Sequence, residues 1–126
     1  MNTTEFMLGI LSRQSPGFEL SKAKFINVTN KSFYADGPKV KFGITQEECA
    51  ELIQAISKFE RLDNALSHTP MYRRNVRFHL LEEIADLYIC LRYLRLANGF
   101  SDDDISAAID VKLDREMERL DKLSQK

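Results

Sequence analysis

Glu47-Glu48-Cys49-Ala50-Glu51-Leu52-Ile53-Gln54-Ala55-Ile56-Ser57-Lys58 is the stretch on which the fold turns, with Glu83-Ile84-Ala85-Asp86 as its counterpart downstream. At about 100° per residue, a helix through the first stretch puts Glu48 in the middle of a face made by Ile44, Leu52, Ala55, Phe59 and Leu62. Glu51 falls at the edge of that face. On a helix through the second, Glu83 falls among Val76, Leu80, Leu87, Cys90 and Leu94, with Asp86 at the edge. Carboxylates inside apolar stripes are costly unless something pairs with them. Two helices burying these faces against each other bring four acids to one place. Such a cluster needs protons or metal ions, and oxygen-only ligation suits Mg²⁺ or Mn²⁺. A single E-x-x-E means little, because exposed helices are rich in glutamate. Two of them, both on apolar faces, mean more.

Working outward, the periodicity predicts an all-α chain. One helix is expected from about Thr45 to about Asn64, with Thr45 and Glu48 spaced as a capping box, a use that would compete with a metal role for Glu48. The next is expected to begin soon after Pro70 and to stop at Asn98-Gly99. It carries a second apolar line, Phe78, Ala85, Ile89 and Leu96. A helix apolar on two sides is buried on two sides, which in so short a chain points to a central helix and an oligomer. A last long helix opens at Ser101-Asp102-Asp103-Asp104, where acids suit an N-terminus, and runs through Ile105, Ile109, Leu113, Met117, Leu120 and Leu123. A short helix is expected between Thr3 and Ser12. From Gln14 to Gly43, aromatics alternate with Pro16-Gly17 and Asp36-Gly37-Pro38. Ala35-Asp36-Gly37-Pro38 reads as a turn, between two short extended pieces. The expected organisation is one domain, 1–126, with a poorly defined N-terminal segment (1–43) and a helical core (44–124).

E-E-x-x-E on one helix and E-x-x-D on the next resemble the signature of the all-α nucleoside triphosphate pyrophosphohydrolases, the MazG-like group. The text around them, Glu47 to Lys58 and then Glu82-Glu83-Ile84-Ala85-Asp86-Leu87, is similar as well. The resemblance spans roughly residues 43 to 119. It implies a helical bundle completed by dimers or tetramers, and Mg²⁺-dependent cleavage of a nucleotide to its monophosphate and pyrophosphate. It makes Glu48, Glu51, Glu83 and Asp86 the metal ligands. Glu47 would be an outer ligand or orient water, and Glu47 or Glu48 would accept its proton. The interval between Glu51 and Glu83 is longer than the family's usual one, so an elaborated loop is expected between Leu62 and Tyr72. The N-terminal segment has no stretch matching the family's base-binding helix, so the nucleobase is not readable.

Triphosphates also need cations beyond the metal. Lys112-x-x-Arg115 resembles the basic residues that follow the acidic motifs in the family, with Arg119 on the same line. Snorkelling beside the core is an equal alternative for all three. Lys58 resembles a family lysine near the phosphates, but could equally pair with Glu51 or Glu47. His79 is expected to be a structural histidine rather than a ligand or base, and Tyr93 a packing residue. Arg73-Arg74-Asn75-Val76-Arg77 reads as a solvated helix start.

The remaining bounds are broad. Net charge is −1, which gives no global attraction to nucleic acid or an anionic membrane. No apolar run approaches the roughly 20 residues that span a bilayer. Met1-Asn2-Thr3-Thr4-Glu5 lacks the character of a secretory signal. The expected compartment is cytoplasmic, with Cys49 and Cys90 as small core residues. Two alternatives stay open. One is a related phosphoribosyl-ATP or dUTP/dCTP hydrolase. The other is a non-catalytic oligomerisation or regulatory module.

Overall fold

The computed structural model describes residues 1–64 and 68–125. Helices account for its regular structure, and no strand occurs among the described residues. The α-helices are α1 (Thr3–Leu11), α2 (Lys22–Asp36), α3 (Pro38–Glu60), α4 (Pro70–Asn98) and α5 (Asp102–Ser124), with one 3₁₀ turn at Arg61–Asn64 after α3. The expected loop from Leu62 to Tyr72 is thus 3₁₀ at its start and helical from Pro70. Its middle, residues 65–67, lies outside the described residues. The chain divides into two compact units, Met1–Leu94 and Arg95–Lys126.

The N-terminal third corrects the expectation of an irregular segment. Residues 22–36 form a 15-residue helix capped by Ser21, whose hydroxyl accepts from the Lys24 amide at 3.2 Å. Asn, Ser, Thr and aromatic residues make up nearly half of this helix, and each is an indifferent helix former. Its inner face is also only partly apolar, Phe33 being buried beside Thr29. The turn at Gly37-Pro38 is where the sequence puts it, yet it joins two helices rather than two extended pieces. Gly37 has φ of 84° and closes α2, and Pro38 begins α3 where its missing N–H costs nothing. Helix α3 therefore starts seven residues before Thr45, running through Gly43. The capping box is overturned as well. Thr45 is buried within α3, and its hydroxyl donates to the Lys41 carbonyl at 2.8 Å. Glu48 is thereby left to other uses.

In the first unit, polar links do much of the joining of α2, α3 and α4. Lys41 on α3 is 4% exposed. Its ammonium donates to Ser32 Oγ at 2.6 Å and Asp36 Oδ2 at 2.8 Å, both on α2. It also lies 4.3 Å from the centre of the Tyr93 ring on α4, a cation–π contact. Arg92 on α4 donates to Thr29 Oγ1 and Asn30 Oδ1 of α2, at 3.1 and 3.0 Å. Among the described residues, the buried apolar side chains are Phe33, Ala55, Leu62, Val76, Cys90 and Tyr93. Tyr93 is the packing residue the sequence suggested. Cys49, expected inside, is exposed; both cysteines are free thiols. The second apolar line of α4 is only half covered among the described residues: Phe78 and Leu96 are partly buried, while Ala85 is exposed and Ile89 37% exposed.

In the second unit, α4 ends as a Schellman motif. The Phe100 amide donates to the Arg95 carbonyl and the Gly99 amide to the Leu96 carbonyl, with Gly99 at φ 68°. Arg95 pairs with Asp102. A capping box between Ser101 and Asp104 then opens α5 at the expected place. No helix among the described residues is long and apolar enough to cross a membrane.

Candidate metal centre

The stripe on α3 turns Ile44, Glu48, Leu52 and Ala55 toward the interior of the first unit, and that on α4 turns Val76, Leu80, Glu83, Leu87 and Cys90 inward. The helical spacing that places the aliphatic residues inside leaves Glu48 and Glu83 no choice but to follow. Glu48, Glu83 and Asp86 each offer one oxygen, and these oxygens lie within 4.8 Å of one another. Glu83 is 4% exposed, while Glu48 and Asp86 are partly covered. Glu51, the fourth expected ligand, is exposed at the edge of the cluster. It still acts on Glu83 through its charge and a side-chain hydrogen bond.

Burial above all, then the hydrogen bond to Glu83 and the charges of Asp86, Glu51 and Glu83, pushes the Glu48 carboxyl up to about 8. Burial likewise raises Glu83, although the hydrogen bond shared with Glu48 pulls the other way. It raises Asp86 too, against a hydrogen bond from Glu48. Glu48 and Glu83 thus act on each other through charge and hydrogen bonding. Even so, Oε2 of each is buried with no hydrogen-bond partner among the described residues. Three carboxyls with two orphaned oxygens fit a hard divalent cation, which would replace the protons and satisfy both oxygens. No nitrogen or sulfur donor joins the trio among the described residues. His79 Nε2 is 4.0 Å from Glu83 Oε1, beyond hydrogen-bonding distance. Cys90 is buried nearby, its thiol pushed up by burial, with a hydrogen bond to Thr45 opposing.

These raised values carry a sign. A folded chain whose acids hold protons that the unfolded chain has released loses stability as pH rises. The loss begins in the ordinary carboxylate range and continues through about pH 8, to which burial pushes Glu48. In EDTA, the melting temperature is expected to fall by about 5 °C or more between pH 5.5 and 8.5. Mg²⁺ should restore more of it at pH 8.5 than at 5.5. Calorimetric scans across that range check this; a flat or rising metal-free profile contradicts the burial of the acids.

The other expected site residues are placed as follows. Glu47 is exposed on α3, adjacent to Glu48, and Lys58 is exposed in the last turn of α3. In the second unit, Lys112 and Arg115 are exposed on α5, three residues apart. Arg119 is engaged with its own helix, donating to Glu116 Oε1 at 3.0 and 2.5 Å. Sequence reasoning passed over Lys41 and Arg92. Lys41 is detectable only once α3 is known to begin at Pro38, for it then lies two turns before Glu48 on the same stripe. No family model, no curated protein and no solved structure matches this chain.

Proposed function

We propose that this chain is a Mg²⁺-dependent nucleotide pyrophosphohydrolase of the MazG-like kind, converting a ribo- or deoxyribonucleoside triphosphate to its monophosphate and pyrophosphate. The observation that carries the reading is the convergence of Glu48, Glu83 and Asp86 from two helices, with buried oxygens of Glu48 and Glu83 lacking partners among the described residues. Those three would hold the metal, with Glu51 beside Glu83 as a further donor. Bound there, Mg²⁺ or Mn²⁺ would neutralise phosphate charge and make water a better nucleophile.

The chain's own part is positioning and proton transfer. Water attacks the α-phosphorus, a P–O bond forms, and the bond to the pyrophosphate oxygen breaks. A proton passes from the water to a neighbouring carboxylate. Glu47 suits that task, being exposed beside Glu48, and Glu48 is the other candidate. Lys58 would offset phosphate charge from the end of α3. Lys112 and Arg115 have phosphate-binding roles in this reading through the motif resemblance alone. Open apolar side chains on α3 and α4, such as Ile53 and Tyr88 at 65% and 70% exposure, support a homodimer or homotetramer.

The reading is tested by incubating the purified chain with ribo- and deoxyribonucleoside triphosphates, dUTP, dCTP and phosphoribosyl-ATP, with Mg²⁺ or EDTA. Equal yields of monophosphate and pyrophosphate, only with metal, are expected for at least one substrate. Phosphoribosyl-ATP or dUTP/dCTP as the sole substrate would select the corresponding related hydrolase. No pyrophosphate from any of them would leave the non-catalytic module as the better description.

A further inference from the structure

Away from the acid cluster, the first unit carries a groove of about 720 Å³ at the start of α4. Its lining includes Arg73, Arg74 and Arg77, together with Phe59 from the end of α3, and Phe78 and Leu81 from α4. No carboxylate lines it among the described residues. Arg73, Arg77 and Leu81 recur every four residues and share one stripe of α4, whereas Val76, Glu83 and Cys90 share another. Leu81 and Glu83 differ by two positions, about 200° around the helix axis; Leu80, on the stripe of Glu83, also lines the groove, which therefore adjoins that stripe without including its carboxylates.

The lining specifies its occupant. Arg74 and Arg77 are exposed, and their guanidiniums give the groove cationic donors that favour an anion. Their forked donors match phosphate oxygens in pairs. Phe59, 40% exposed, and Phe78 offer aromatic surface beside those cations, suited to stacking on a flat ring. The volume lies within the roughly 300–1,000 Å³ range of small-molecule sites. We propose that this groove is a second binding site, for a nucleoside phosphate, with its phosphates on the arginines and its base against the phenylalanines. It requires no divalent metal. It goes beyond the pyrophosphohydrolase reading and does not depend on it.

The test is a fluorescence anisotropy titration of the full chain with N-methylanthraniloyl-ADP in EDTA, at two salt concentrations. Saturable, salt-sensitive binding in the range of roughly 10–100 µM, displaced by unlabelled ADP, is expected. The exposed pair Arg74→Gln with Arg77→Gln should weaken it by about 10-fold or more, with the circular dichroism of the wild type retained. Phe59→Ala should weaken it by about 3-fold, and Glu83→Gln should leave it unchanged. Absent saturation, full binding in the arginine variant, or loss in Glu83→Gln would overturn the proposal. So would displacement by octanoate as effective as that by ADP, which would make the site one for aliphatic anions. Sedimentation supplies the last arm: if the arginine variant breaks up an oligomer that the wild type forms, the groove seats a second copy instead.

Discussion

Glu83→Gln is expected to lower Mg²⁺-dependent triphosphate cleavage by roughly 10²–10³-fold, while the metal-free protein at pH 8 melts no lower than the wild type. Both halves follow from the same burial. Glu83 is 4% exposed and holds one oxygen with no partner among the described residues, so its charge is tolerable only with a cation or a proton. Glutamine keeps the shape and removes the charge. A metal ligand is lost, yet the repulsion that Glu83 exerts on Glu48 and receives from Glu51 and Asp86 is lost as well. A structural glutamate would behave in the opposite manner, with lower stability and intact chemistry. Steady-state kinetics and calorimetry on one preparation separate the two. Retained activity removes Glu83 from the reaction.

The second large effect is asymmetric. In the Lys41–Asp36 pair the lysine side chain is 5% exposed and the aspartate 45% exposed. Asp36→Ala strands a buried ammonium, held among the described residues by Ser32 and the Tyr93 ring, and should cost about 3 kcal/mol. Lys41→Met strands a carboxylate that water can reach while keeping an apolar stem in place, and should cost about 1 kcal/mol. Urea denaturation measures both. If the lysine variant proves the less stable of the two, packing rather than charge burial governs this junction of α2, α3 and α4.

Long, strongly periodic helices were legible. The stop at Asn98-Gly99 and the start at Ser101 rest on local chemistry that needs no tertiary information: a left-handed glycine and a reciprocal cap. The inward turn of Glu48 and Glu83 was legible for a related reason, since the aliphatic residues around them fix the buried face. Helix α2 was not, because its buried positions include Thr29 and because Lys41 and Arg92 satisfy polar groups that look solvated in the sequence. Thr45 misled through a local pattern. T-x-x-E resembles a cap wherever it occurs, and only the upstream extension of α3 to Pro38 shows that the helix was already under way. The exposure of Glu51 was also illegible. One position on the edge of a stripe can face the acids or the solvent, and the helix-to-helix approach decides which.

The proposal that the three carboxyls hold a divalent cation is reached most directly by titrating Mn²⁺ into the metal-free protein at pH 7.5, followed by electron paramagnetic resonance. Saturable binding is expected, competed by Mg²⁺, lost in Glu83→Gln and retained in Arg74→Gln with Arg77→Gln. Free Mn²⁺ that never saturates a site, or a site that survives Glu83→Gln unchanged, would contradict it.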